Sequence, residues 1–418
     1  MNIVLNLQFN IDNIGILFSI LSVVVFATAG VFSFEYMKHE GHHVRYTIFF
    51  IVAFFVFQGL CFAGNMITYY FFFELLTLST FPLVLHNGSK EAIMAGLKYL
   101  FYSMCGAYMC LFGIFFTKCS NPFVEGGYMM SELSGMTPDK IKIYYVCIIL
   151  MIFGFSVKAG MFPMHAWLPT AHPVAPAPAS AVLSAIIVKA GVLGIIRTVF
   201  YVFGSDFIKG TSIQKLFMVI TLVTVFMGSM LAYRENGLKK RLAYSTVSQV
   251  SYILYGLFTL TDIGYDGALL QAMAHGFVKC GLFLCAGAII YKTGKTKVSE
   301  LRGIGKQMPI TMVCYTVLSL SLIGIPPTGG FAAKWYLAIG SLESGVSILS
   351  WVGPVILLIS ALLTAGYLLT ISMRGFFPGD DYNSGEIEKL EPNYLMNVPI
   401  IGLTILAVVT GLFPNMFI

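Results

Sequence analysis

The sequence predicts an all-α polytopic membrane protein with about twelve transmembrane helices, arranged as two inverted five-helix repeats that each contain a broken helix. Three observations carry this. Of 418 residues, 57% are hydrophobic and only 11% are charged, where a soluble domain carries about 25% charged residues. Apolar runs of roughly 18 residues or more recur from one end to the other, each long enough to cross a hydrocarbon core of about 30 Å as a helix. Two of those runs are interrupted by glycine and proline, and the interruptions fall at corresponding places in the two halves of the chain. A soluble two-domain enzyme is excluded.

Hydropathy and the polar breaks between runs place helices at 12–34, 46–63, 65–86, 93–116, 142–169, 178–202, 213–233, 241–260, 264–290, 308–342, 348–374 and 396–416. The stretch from Met1 to Asp12 lacks the basic region that precedes a cleavable leader, so the first run is expected to be a retained helix. The third carries Glu74 in TYYFFFELLTLST, the one carboxylate well inside a run. The fifth is interrupted by Gly160 and Pro163 in VKAGMFPMHAW, and the tenth by Pro326, Pro327, Gly329 and Gly330 in IGIPPTGGFAAKWY. Proline removes a backbone donor and collides with the preceding turn, and the freed groups then need protein or water nearby. Matching breaks five helices apart point to inverted repeats with a transport path between them, over 46–202 and 213–374, flanked by 1–45 and 375–418.

Assigning the connections alternately to two sides puts fifteen lysines and arginines on one and five on the other, Lys118 among the five. The positive-inside rule makes the richer side cytoplasmic and leaves both termini outside. This asymmetry also accounts for the net charge of +6 without an anionic partner. The eight cysteines, Cys119 included, show no C-x-x-C spacing and are read as small packing residues.

Five basic residues remain inside or at the ends of apolar runs: Lys158, Lys189, Arg197, Lys279 and Lys334. A charge at the bilayer centre costs about 2.5–3.5 kcal/mol even on the lenient insertion scale, so several together need partners or a purpose, by default an ion or proton route. Lys158 precedes the break at Gly160, with Glu74 as its natural counter-charge; the bland alternative is a salt bridge that only locks two helices. Lys189 sits mid-run in SAVLSAIIVKAGVLGIIR, too deep to snorkel, and must face the bundle interior. Arg197, nearer an end, is better read as an anchor or a fixed structural pair, because arginine hardly ever deprotonates. Gln271, His275 and Lys279 recur every four residues in QAMAHGFVK, on one side of a helix, where histidine suits a relay near neutral pH; a merely hydrogen-bonded histidine is the alternative. Lys334 follows the second break and is read as the other end of the route or as a snorkelling lysine. His165 and His172, in the polar turn after the fifth run, are gating or interfacial residues. The hydroxyls of AYSTVSQVSYILYG give a weak signal for held water. No metal-ligand spacing is present.

At this point the residues resemble the antiporter-like membrane subunits shared by respiratory complex I, Mrp-type Na+/H+ antiporters and membrane-bound energy-converting hydrogenases. The segments that look alike are FFFELLTLSTFPLV, AGLKYLFYSMCGA, VKAGMFPMHAWLPTAHPVAPAPASAVLSAIIVKAGVLGIIR, AYSTVSQVSYILYG, MAHGFVKCGLFLCAGAII and GIPPTGGFAAKWYL, in the right order over most of the chain. The resemblance implies a horizontal proton or ion path: Glu74 and Lys158 as a charge-modulated pair, Lys189 as a bridging lysine, His275 and Lys279 as a second-half relay, and Lys334 as the terminal lysine. Gln271 stands where some members have histidine, so one step is left to water. Family members usually have about fourteen helices, and this chain resembles them from the third onward, without the long lateral helix that ends some of them. The turn AHPVAPAPAS looks more like the hydrogenase-type members than the quinone-reducing ones.

The sequence has no nucleotide loop, no iron–sulfur or flavin pattern and no haem signature, so no cofactor is expected in this chain and redox chemistry falls to other chains. The expected partners are other membrane subunits of a hetero-oligomeric complex with a peripheral redox module, in a prokaryotic cytoplasmic membrane, and no nucleic acid. A secondary sodium/proton exchanger of the Mrp type is the alternative, and a static scaffold is disfavoured by the charges it would bury.

Overall fold

In the computed structural model, residues 7–120, 137–379 and 388–417 are described, without the side chains of 118–120. Residues 1–6, the Lys118 charge, the Cys119 thiol and parts of the flanking segments therefore lie outside the described residues. The chain forms α1 (Asn13–Glu40), α2 (His43–Cys61), α3 (Met66–Val84), α4 (Lys90–Ser120), α5 (Pro138–Ala159) and α6 (Leu168–Val174). It continues as α7 (Ala177–Val202), α8 (Ser212–Arg234), α9 (Leu238–Thr259), α10 (Asp262–Thr293), α11 (Pro309–Ile323), α12 (Gly329–Glu343), α13 (Leu349–Phe376) and α14 (Tyr394–Leu412). Among the described residues, ten stretches are long and apolar enough to cross a membrane. The polar α9 and the split pair α11–α12 supply the rest, so all twelve expected segments have a counterpart.

The two breaks follow from local chemistry. α5 ends because Gly160 takes a left-handed φ of 76°, from which its N–H reaches back to the Ser156 and Val157 carbonyls. α11 ends in the same way at Gly324, φ 95°. Such angles suit a residue without a Cβ. Gly330 is required for a different reason: a Cβ there would stand 1.8 Å from the Ser321 carbonyl oxygen. At 15 residues each, α11 and α12 reach only about 22 Å, short of the bilayer core, and so must end within it.

Two expectations change here. The fifth segment does not close in a polar turn after residue 169. A 3-10 turn at Met164–Trp167 and then α6 carry the chain on, so His165 lies on that turn and His172 on a buried half-helix. The sixth segment is not a plain helix either, since its backbone widens to π geometry at Leu183–Ile187 and Arg197–Val202. Lys189 lies two residues beyond the first widening.

Burial is inverted relative to a soluble protein. The most apolar windows of α7 and α10 are 100% and 94% buried, and α9 is enclosed over nearly its whole length. Phe55, Phe101, Trp335, Trp351 and Leu358 face outward, as suits side chains whose solvent is hydrocarbon. The three central helices α7, α9 and α10 hold the buried Lys189, Arg197, Arg241, His275 and Lys279, and α5, α8 and α12 pack against them.

Candidate functional site

Lys158, in the last turn of α5, is buried, and its ammonium donates to Thr77 Oγ1 at 2.6 Å and to the Phe73 carbonyl at 3.4 Å. It also stands 4.6 Å over the Phe73 ring, a favourable place for a cation. The expected contact with Glu74 is not made. The two charges interact through space, but no hydrogen bond joins them, and Glu74 Oε1 is buried without a hydrogen-bond partner. Thr77 is thus interposed as the direct partner, one helical turn from the carboxylate.

Lys189 and His275 meet. The ammonium on α7 lies 2.5 Å from His275 Nδ1 on α10, and both residues are buried. A neutral imidazole has one ring nitrogen that accepts and one that donates, so the tautomer of His275 sets the direction of this bond. The other nitrogen, Nε2, is buried without a partner. One turn along α10, Lys279 donates to the Leu242 carbonyl at 2.9 Å and, in a very short bond, to Ser245 Oγ. One turn in the other direction, Gln271 donates to Gln249 at 2.9 Å, leaving Gln271 Oε1 and Gln249 Nε2 unpartnered. Buried polar atoms without a protein partner are sites that hold water.

Lys334 reaches back from α12 to the open end of α11, donating to the Leu322 and Ile323 carbonyls at 2.7 Å each. A helix C-terminus carries partial negative charge and suits an ammonium. The Tyr252 ring lies 5.0 Å beneath it. Lys158 and Lys334 therefore both sit at the broken ends, one before its break and one after.

Arg197 is a fixed structural pair. Its guanidinium binds both carboxylate oxygens of Asp12, one at 2.7 Å and the other in a very short bond, and lies over the Tyr201 ring at 4.6 Å. Asp12 also caps α1 by accepting from the Gly15 N–H at 2.9 Å. Burial would raise the Asp12 carboxyl, but the Arg197 guanidinium outweighs it and holds it below its ordinary value. His165 has an unpartnered Nδ1 and is not joined to the lysines; His172 is buried on the Phe283 ring at 4.8 Å with both nitrogens unpartnered. Among the described residues, no group of three or more His, Cys, Asp or Glu is placed to hold a metal ion.

Residues 63–373 match the family described as NADH:quinone oxidoreductase/Mrp antiporter, TM. The chain belongs to this family. It is 32% identical over 372 residues to NADH-quinone oxidoreductase subunit N of Desulforudis audaxviator, covering 86% of this chain and 72% of that one. In fold it resembles a chain of the membrane-bound sulfane sulfur reductase, an archaeal respiratory membrane complex, with a TM-score of 0.86 at 24% identity over 100% of this chain and 82% of that one. It also resembles a chain of the Mrp complex from a Dietzia species, with a TM-score of 0.84 at 20% identity over 98% and 82% of the two chains. At those identities the two structures show the fold alone.

Proposed function

We propose that this antiporter-family chain is the ion-translocating subunit of a multi-subunit membrane redox complex of the complex I or energy-converting hydrogenase type. It moves protons along Glu74, Lys158, Lys189, His275, Lys279 and Lys334 and is not catalytic alone. The observation that carries this is the 2.5 Å contact between Lys189 and His275, which joins a lysine of 46–202 to a histidine of 213–374, the two stretches we take as the inverted repeats. A scaffold has no use for two ionisable groups sharing a proton at its centre, where each charge is costly. Gln271 supports the relay by placing a hydrated amide beside His275. His165 is an accessory group at the first break, and Arg197 a structural one.

Sodium needs several oxygen ligands, and Glu74 is the one carboxylate along this line, so protons are the favoured ion. The redox cofactors belong to partner chains, the membrane is a prokaryotic cytoplasmic one, and both termini face outward. The family also contains Mrp antiporters, and a subunit of a secondary Na+/H+ exchanger is the second reading. Purification from native membranes in mild detergent, followed by mass spectrometry of the accompanying chains, separates the two. Dehydrogenase or hydrogenase subunits are expected; only small hydrophobic antiporter subunits would overturn the redox reading.

A further inference from the structure

Between α8 and α13 the outer surface opens into a groove of about 440 Å³, within the range of about 300–1,000 Å³ that holds small ligands. Val219, Val223 and Phe226 line one wall, Val352, Ile356 and Ile359 the other, and every lining side chain is apolar. Leu222 is its buried floor, whereas Val219, Val223, Phe226 and Ile359 are exposed. At the deep end the two helices close on each other, with Ser229 Oγ 2.6 Å from Ser360 Oγ. Nearer the start of α13, Pro354 interrupts the helix. Proline lacks an N–H and its ring crowds the carbonyl four residues back. That carbonyl, of Ser350, instead accepts from Ser341 Oγ at 2.9 Å, which ties this end of α13 to α12.

Trp351, 71% exposed on the first turn of α13, marks the level of the aromatic belt, where headgroups meet hydrocarbon. Lys215 stands on the groove face of α8, since 215, 219, 222 and 226 fall on one side of a helix. It is exposed one turn before Val219 and, among the described residues, has no ion-pair partner. From Lys215 to Met227, the last groove residue of α8, the helix rises about 18 Å, against about 15 Å for the hydrocarbon of one leaflet. We propose that this groove binds one bilayer phospholipid, with an acyl chain between α8 and α13 and the phosphate on the Lys215 ammonium. Hydrocarbon gains no hydrophobic energy by leaving the bilayer for an apolar wall, so the chain is held by close packing on both sides and the headgroup by charge. A membrane helix of another subunit fits less well, because it needs a seam along the whole span and this groove ends at the Ser229–Ser360 contact.

The test places the photo-crosslinking residue p-benzoylphenylalanine at Phe226, where it keeps the aromatic ring in the groove, and separately at Leu358, which is exposed on another face of α13. The assembled complex is purified in mild detergent, so that bulk lipid is removed, then irradiated, and the mass of this chain is measured. An adduct of one phospholipid is expected at Phe226 and only detergent adducts at Leu358. Lys215→Glu removes an attractive charge and adds a repulsive one, and is expected to lower the yield of the phospholipid adduct about ten-fold or more, while Lys215→Arg preserves it. Detergent adducts alone at Phe226 would show that no lipid is retained, and a cross-link to another protein chain would make the groove a subunit interface; either result overturns the proposal. A phospholipid adduct at full yield in Lys215→Glu would overturn the assignment of the phosphate to Lys215.

Discussion

Replacing Lys189 separates conduction from stability, because the two roles predict opposite outcomes. In Lys189→Met the near-isosteric side chain fills the same buried space but loses the ammonium 2.5 Å from His275. On the stability side, the charge costs about 2.5–3.5 kcal/mol at the membrane centre, and a hydrogen bond to a charged group returns about 1.5–3 kcal/mol. These nearly cancel, so the variant assembles with a stability within about 1–2 kcal/mol of wild type. On the conduction side, loss of a positioned proton donor and acceptor costs about a hundred-fold or more in rate, roughly 2.7 kcal/mol on the barrier. Lys189→Arg sharpens the contrast, since it keeps a charge beside His275 but a group that does not release its proton. The assay is proton uptake in vesicles alongside the thermal unfolding of the purified complex in detergent. Both variants are expected to unfold near the wild-type temperature and to pump at no more than about one per cent of its rate. Full uptake in either one would refute the bridging role of Lys189; a collapse of assembly in Lys189→Met would mean the contact is structural.

Asp12→Ala leaves the Arg197 guanidinium, 1% exposed, without its counter-ion and uncaps α1, and is expected to cost about 3–5 kcal/mol in thermal unfolding. Because the folded Asp12 carboxyl is held below its ordinary value, the pair's contribution is complete above the usual carboxylate range and is lost as pH falls through the depressed value. The melting temperature of wild type should therefore drop more steeply on acidification than that of Asp12→Asn. Gly160→Ala forces a Cβ into a φ of 76° and 2.2 Å from Leu168 Cδ1, and is expected to cost about 1–2 kcal/mol in thermal unfolding, whereas Gly402→Ala, with nothing within 4 Å, should not destabilise. Thr77→Val removes the hydroxyl 2.6 Å from the Lys158 ammonium and should slow proton uptake while Thr77→Ser preserves it; equal rates in the two would show that Thr77 plays no part.

What was legible in the sequence was what has a local cause. Glycine and proline break a helix wherever they stand, so both interruptions could be located to within a few residues. A basic residue inside an apolar run has no local justification, and the five picked out on that ground are all buried or clamped by polar partners in the fold. What escaped depends on distance in the chain. Asp12 and Arg197 lie 185 positions apart, and nothing local in the sequence joins them. Glu74 and Lys158 are the natural opposite charges in the sequence, but the ammonium hydrogen-bonds Thr77, one turn along α3, instead of the carboxylate. The π segments of α7 leave no sequence signal at all. The hydroxyls of α9 were visible but undervalued: serines in membrane helices usually serve packing, and only the positions of Lys279, Gln271 and Lys334 around that helix reveal it as the polar centre of the bundle.

The most direct test of proton translocation through this chain is a measurement on the purified complex reconstituted into liposomes. Luminal acidification is followed after addition of the electron donor used by the co-purifying redox subunits, for wild type and for Lys158→Ala. The buried path predicts acidification that a protonophore collapses in wild type and none in an assembled, electron-transferring Lys158→Ala complex. An assembled Lys158→Ala complex that acidifies the lumen at the wild-type rate would contradict it.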